Sequence, residues 1–348
     1  MASSSTPIVS DAAAGLVQLR PFPHLARLNA MPSARAREVY ARGVNNPHSF
    51  LAMNRRYIRA AASHEAPPLS EAGRRVAQDL ADNGIAFAGF GEFFVPELCT
   101  TLTERFHAYV EEFARESRGT AKGKGVYLDT VHKSHTFVTG DAVSTYLADA
   151  GVAAVAREYM GMVPRFVGTS FWRTRTATGS DRIYSQLWHR DYNDRMLMKV
   201  FLYITDVGPT EGYFEYLAGS HESGLLGPLF DRIGPDGFRA YPEADAVDRV
   251  MADLPVFDLD QVAPADRSGA RAPWHRRPAV VRCIAPKATL IFADTYGMHR
   301  GGFVQQGYRD MVMTTYSTNF NVHKPHYAVT RGFADGLSPL MRLSFGID

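Results

Sequence analysis

The sequence predicts a mainly β domain with flanking helices, an antiparallel sandwich or barrel with helices packed against one face. Two observations carry this. From about residue 125, short segments dense in β-branched and aromatic residues alternate with Gly, Pro, Asn and Asp turns. Ahead of them, residues 34–116 carry helical spacing and helix start signals. The chain of 348 residues, 45% hydrophobic, is long enough to bury a core without disulfides or a structural metal.

Taken in order, the first 20 or so residues are rich in Ala, Ser and Thr and read as a disordered tail. They lack the basic and apolar regions of a secretory signal. Residues 34–62 mix helix formers with a Gly-Val-Asn-Asn-Pro break, suggesting two short helices. Next comes a helix with Ser70 as N-cap, Glu71 in its first turn and Asn83-Gly84 as its end, then an apolar strand from Ile85 to Phe90. In PELCTTLTERFHAYVEEFARE, Leu98, Leu102, Phe106, Tyr109 and Phe113 recur at helical spacing. Strands are expected in RFVGTSFWRTRT, KVFLYITDV, YFEYLAG, AVVRCIAP, ATLIFADT and DMVMTTYSTNF, with one further helix over 142–160. Residues 224–275 carry few strand signals and many Pro, Gly and Asp, and so long a connection suggests a lid-like insertion. The expected organisation is one structural domain: a tail and helical extension over 1–83, and a β domain over 84–348.

Charge and cysteine content narrow the function. Lys plus Arg (38) against Asp plus Glu (36) give +2, which offers no broad field for nucleic acid or anionic lipid. Cys99 and Cys283 lie far apart and read as reduced, small buried residues, and no apolar run reaches a membrane span, so a cytoplasmic protein is expected.

The chemistry is concentrated in SQLWHRDYNDR. His189 and Asp191 stand two positions apart, and on a strand such residues point to one face, so an imidazole and a carboxylate converge. Taken bare, a His-x-Asp pair is more often a strand residue beside a turn carboxylate. A third ligand is available in ADTYGMHRGG, where His299 follows a strand. Two histidines and one carboxylate make a facial triad that leaves three positions of an octahedral iron(II) open. Ten residues on, Arg309 lies in a strand with Met311, Val312 and Met313. Its planar fork suits a carboxylate, by two parallel hydrogen bonds, although a solvated arginine is the commoner fate of the residue type.

These segments, with KVFLYITDV, EGYFEYLAGSH and their order, resemble the phytanoyl-CoA dioxygenase (PhyH-like) branch of the 2-oxoglutarate oxygenases over roughly residues 84–322. The resemblance implies a double-stranded β-helix (jelly roll, cupin-like) core and the use of Fe(2+), 2-oxoglutarate and O2. It implies metal ligation by His189, Asp191 and His299, and 2-oxoglutarate binding by Arg309, these four being the catalytic set, with Gln186 and Tyr203 as further cosubstrate contacts. A sheet-edge amide and a core tyrosine remain the alternatives for that last pair. Two departures matter. Gly301 stands where the group often carries a hydroxyl, so that hydrogen bond must come from elsewhere. Asp191 is retained where related halogenases have a small residue, which points to hydroxylation or another oxidation.

Trp172, Arg173 and Lys133 are candidates for the substrate pocket, and Phe171, Met196 and Met198 suggest an apolar metabolite. His221 reads as a turn residue, and His323 with His326 is too sparse for zinc. The expected partner is a small-molecule substrate, with neither nucleic acid nor membrane, in a monomer or homodimer. Two other functions stay open: a cupin-like metal enzyme using the same triad without 2-oxoglutarate, and a non-catalytic binding module.

Overall fold

The computed structural model describes residues 15–20, 22, 47–116, 123–176, 181–191, 193–233, 244–261, 272–321 and 325–347. Residues 1–14 of the tail, His323 and parts of the 34–62 and 224–275 segments lie outside these residues; residues 15–20, expected to be disordered, are tied down, the Val17 N–H donating to the Val329 carbonyl at 3.0 Å and the Arg20 N–H to the Gly346 carbonyl at 2.6 Å. The helical lead-in consists of α1 (Pro47–Ser63), α2 (Glu71–Asn83) and α3 (Pro96–Glu116). The α2 ends follow their local chemistry. The Ser70 hydroxyl accepts from the Gly73 N–H, and Gly84 closes the helix in the left-handed region at φ 78°. Residues 142–160 form two helices, not the single one expected: α4 (Ala142–Leu147) and α5 (Ala150–Met160). Asp149 breaks the run, because its carboxylate caps α5 by accepting from the Val152 N–H.

Seven of the twelve strands among the described residues fall on the expected segments, and β2, β3, β7, β10 and β12 were not expected: β1 (Ile85–Gly89), β2 (Leu128–Lys133), β3 (His135–Phe137), β4 (Arg165–Arg175), β5 (Leu197–Tyr203), β6 (Phe214–Ala218), β7 (Val256–Asp258), β8 (Ala279–Arg282), β9 (Thr289–Asp294), β10 (His299–Gly301), β11 (Tyr308–Ser317) and β12 (Tyr327–Val329). The larger sheet has the order β1-β9-β5-β11-β4-β2 and the smaller β10-β6-β8-β7. From β4 onward the chain crosses back and forth between them, with the His189 segment bridged to β10 as the outermost member of the smaller sheet. That winding makes a double-stranded β-helix, as expected. Two strand pairs, β7–β8 and β12–β3, are parallel.

Alternation along the strands divides two cores. Val200, Leu202, Leu290, Phe292 and Val312 face outward into a cluster with α2 to α5. Phe201, Tyr203, Ile291, Ala293, Met311 and Met313 face inward against Phe214, Tyr216 and Val281 of the smaller sheet. A bulge resets the phase of β4, where Thr315 and Tyr316 of β11 oppose Gly168 and Phe166. As a result Phe166 and Phe171, five positions apart, both reach the outer core. Helices do not stop at one face. α6 (Gly227–Ile233) and α7 (Ala244–Met251) bring Phe230 and Val247 onto Leu217 and Val280, covering the back of the smaller sheet.

Candidate metal centre

Between the sheets lies a cavity of about 940 Å³, into which His189, Asp191 and His299 all project. Their potential ligand atoms lie within 4.8 Å of one another, and among the described residues they form the one such group. His189 and Asp191 do not sit on a regular strand, as the sequence suggested. The 3-10 turn Tyr184–Gln186 precedes them, and the backbone is extended through an isolated bridge in which His189 and His299 exchange N–H···O bonds at 2.9 Å. The Asp191 N–H then donates to the Thr295 carbonyl at 2.7 Å. Extended backbone is all that the two-residue spacing needs, so the side chains still converge.

The two imidazoles are set in the same way. His189 Nδ1 lies 2.8 Å from the Leu187 carbonyl and His299 Nδ1 lies 2.9 Å from the Gly297 carbonyl. A carbonyl only accepts, so each Nδ1 carries the proton and each Nε2 is left with its lone pair. His299 Nε2 lies 3.7 Å from the Asp191 carboxylate. Burial pushes the His299 pKa down to about 3, helped by the neighbouring His189, and burial lowers that of His189 as well. Burial works against a charged Asp191, but the Lys199 ammonium beside it and the two histidines outweigh this and hold the acid well below the usual carboxylate range. Two neutral imidazoles and a fixed carboxylate on one cavity wall suit a divalent metal with mixed nitrogen and oxygen ligands.

Lys199 was not foreseen. Its Nζ donates to Asp191 Oδ2 at 2.6 Å from the inner face of β5. A lysine inside the apolar run LMKVFLY is itself a signal, because a charge at an inward-facing strand position needs a partner.

Arg309 enters the same cavity from β11 and is 3% exposed. Its guanidinium donates to the Gly212 carbonyl and, at 3.3 Å, to Thr174 Oγ1, while its Nε has no partner. Among the described residues no carboxylate meets it. Gly212 has φ 74°, and an added Cβ there would meet the Gly302 carbonyl at 2.8 Å, so glycine is what lets this loop close over the guanidinium.

The remaining expected residues divide. Gln186 lines the cavity, buried, with its Nε2 unpartnered and its Oε1 accepting from the Ile183 N–H. Tyr203 does not line it. Its hydroxyl donates to the Cys283 carbonyl at 3.1 Å and accepts from the Phe214 N–H at 3.2 Å, beside the Arg309 guanidinium. Trp172 faces inward with Met311, whereas Arg173 borders the cavity but spends its guanidinium on Asp310 at 2.6 Å, on the opposite face of the strand pair. Lys133 is exposed at the end of β2 and is not part of the lining. The cavity's other lysine is Lys124, exposed in the 3-10 turn Gly123–Val126, in a lining that also includes Tyr127 and Phe113 of α3. Tyr127 and Ser185 share a 2.8 Å hydrogen bond in the lining, next to Gly301, whose missing side chain leaves room there. None of the described residues of 224–275 lines the cavity; Phe230 and Val247 pack on the back of the smaller sheet.

Neither His221 nor His326 lines the cavity. His221 is buried, with its Nε2 3.2 Å from the Ala81 carbonyl. His326 is exposed and paired in a bridge with Gly168. Cys99 and Cys283 are both free thiols.

No protein-family model and no curated protein matches the chain. Solved structures do. EctD from S. alaskensis in its apoform is 14% identical, with a TM-score of 0.48, covering 82% of this chain and 90% of that one. The epimerase SnoN, in complex with Fe3+, alpha ketoglutarate and nogalamycin RO, is 13% identical with a TM-score of 0.46, covering 73% and 87%. AviO1 from Streptomyces viridochromogenes Tue57 is 16% identical with a TM-score of 0.45, covering 75% and 100%. No helix among the described residues is long and apolar enough to cross a membrane.

Proposed function

We propose that this chain is an Fe(II)/2-oxoglutarate-dependent oxygenase that oxidises a small-molecule metabolite by C–H abstraction, with hydroxylation as the outcome. The observation that carries the reading is the pairing of the His189–Asp191–His299 group with a buried guanidinium that has no counter-anion, both opening on one cavity. Burying an unpaired cation costs several kcal/mol. A site that keeps Arg309 in this state is built for an anion that arrives with a ligand. A triad enzyme working without the oxo acid would leave that cost standing.

His189, Asp191 and His299 would hold the iron, His189 and His299 through Nε2. Iron bound there supplies the oxidising chemistry, in which 2-oxoglutarate and dioxygen become succinate and carbon dioxide while the substrate loses hydrogen. The chain's own work is placement. Arg309 binds the distal carboxylate through its fork, with Thr174 and the Gly212 carbonyl fixing the plane of the guanidinium. The buried Gln186 amide donates to the bound oxo acid from the wall beside His189. The hydroxyl absent at Gly301 is replaced by the Tyr127–Ser185 pair. Trp172, Phe201, Phe214 and Met311 exclude water from the reacting face.

The test is succinate formation from 2-oxoglutarate under air with added iron(II), including the slow turnover that needs no substrate. Wild type is expected to produce it and His189→Ala to fall to background. Full activity in that variant would remove the ligand assignment.

A further inference from the structure

We infer that the substrate carries an anionic headgroup, a carboxylate or a phosphate on an apolar body, and that Lys124 and Lys199 bind it. The inference rests on the reading above and extends it to the substrate class. The cavity lining brings together five permanent cations and two carboxylates. Arg173 is neutralised by Asp310, and Arg175 by Asp129 at 3.0 Å. A divalent metal, Asp191, dianionic 2-oxoglutarate and Arg309 then cancel in formal charge. Two ammonium groups are left over, Lys124 and Lys199, both on the cavity wall.

Their hydrogen bonding agrees. An ammonium has three donors, and Lys199 uses one, on Asp191 Oδ2. The Lys124 ammonium makes neither a hydrogen bond nor an ion pair among the described residues, and it is exposed where it lines the same cavity as Lys199 and Asp191. Two ammonium groups lining one cavity raise its positive potential and favour an anionic ligand there. Beside them the lining has an apolar portion, Val110 and Phe113 of α3 with Leu128 and Val131 of β2, interrupted by Asp129 and Thr130. An amphipathic acid fits it, its head close to the metal and its body along α3.

Equilibrium dialysis of three matched probes tests this: 2-naphthoate, 2-naphthyl phosphate and neutral 2-naphthamide, against the full chain loaded with redox-inert zinc and saturated with 2-oxoglutarate. At least one anion is expected to bind tenfold or more tighter than the amide, by about the strength of one charge-assisted hydrogen bond. The stronger anion tells carboxylate from phosphate. Lys124→Met should bring the probes together, and so should Lys199→Met if it remains folded by circular dichroism. Equal affinities in the wild type, or an anion preference that survives Lys124→Met, overturn the inference. Retention of 2-oxoglutarate is read in the same cells. If the zinc-loaded chain fails to retain it, the oxygenase reading fails instead, and the probes against Arg309→Met then decide the subsite alone.

Discussion

The two faces of the larger sheet are made from the same strands and do opposite work. The outer face is sealed by α2 to α5 and filled with side chains such as Phe166, Phe171, Phe292 and Val312, all inaccessible to solvent. The inner face carries Lys199, Trp172 and Arg309 between its apolar residues and stays open as a cavity. Neighbours in sequence thus belong to different problems. Phe171 fills the outer core and Trp172 lines the cavity; Asp310 closes an ion pair behind the sheet while Arg309, in front of it, meets no carboxylate among the described residues.

The sharpest way to break this comparison is Arg309→Met. On the inner face a lost charge should cost function and not fold: KM for 2-oxoglutarate is expected to rise on the order of a hundredfold, with Tm no lower than wild type, because an uncompensated buried cation has gone. A large drop in Tm with unchanged KM would make Arg309 a structural residue. The reverse split is expected outside. Phe171→Ala removes a ring packed on Phe106, Tyr109 and His132 and should destabilise by about 3–5 kcal/mol in urea unfolding, with zinc affinity of the folded protein intact. Trp172→Ala should destabilise by less, since its inner side borders open space.

Acid sharpens the contrast further. His299 is held neutral with a pKa of about 3, below its unfolded value of about 6.5. The unfolded chain therefore takes up a proton that the folded chain does not. The metal-free protein should lose stability as pH falls from about 6.5 towards 3 and hold it above that window. His299→Phe should flatten that slope, and an unaltered slope would show that the ring is not buried neutral. The smallest effect belongs to the outer helices. Asp149→Ala removes the α5 cap and should cost about 1 kcal/mol, leaving 2-oxoglutarate binding unchanged.

Most of the fold was legible because alternation and turn chemistry are local. Ser70, Gly84 and the six central strand segments announce themselves within a few residues. The triad was legible because His189 and Asp191 need only an extended backbone, whichever sheet they join. What was hidden depends on which way a residue faces. Lys133 and Lys199 look equally plausible in the sequence, yet Lys133 ends β2 in solvent while Lys199 points at Asp191. Tyr203 seemed placed for the cosubstrate, but its hydroxyl is taken by two backbone groups. Arg173 is one register step from the cavity face, and one step reverses its role. Asp149 inside a helical pattern was readable as a cap and was passed over. The walls supplied by Val110, Phe113, Lys124 and Tyr127 come from segments whose docking against the sheet no local pattern encodes.

Both imidazoles are aimed by the carbonyl two positions before them, Leu187 for one and Gly297 for the other. Each Nδ1 anchor thus comes from the ring's own segment. Substitutions along α3 and β2 can therefore reshape what the pocket admits without turning either ring, which makes this a scaffold in which selectivity and reactivity are open to separate adjustment.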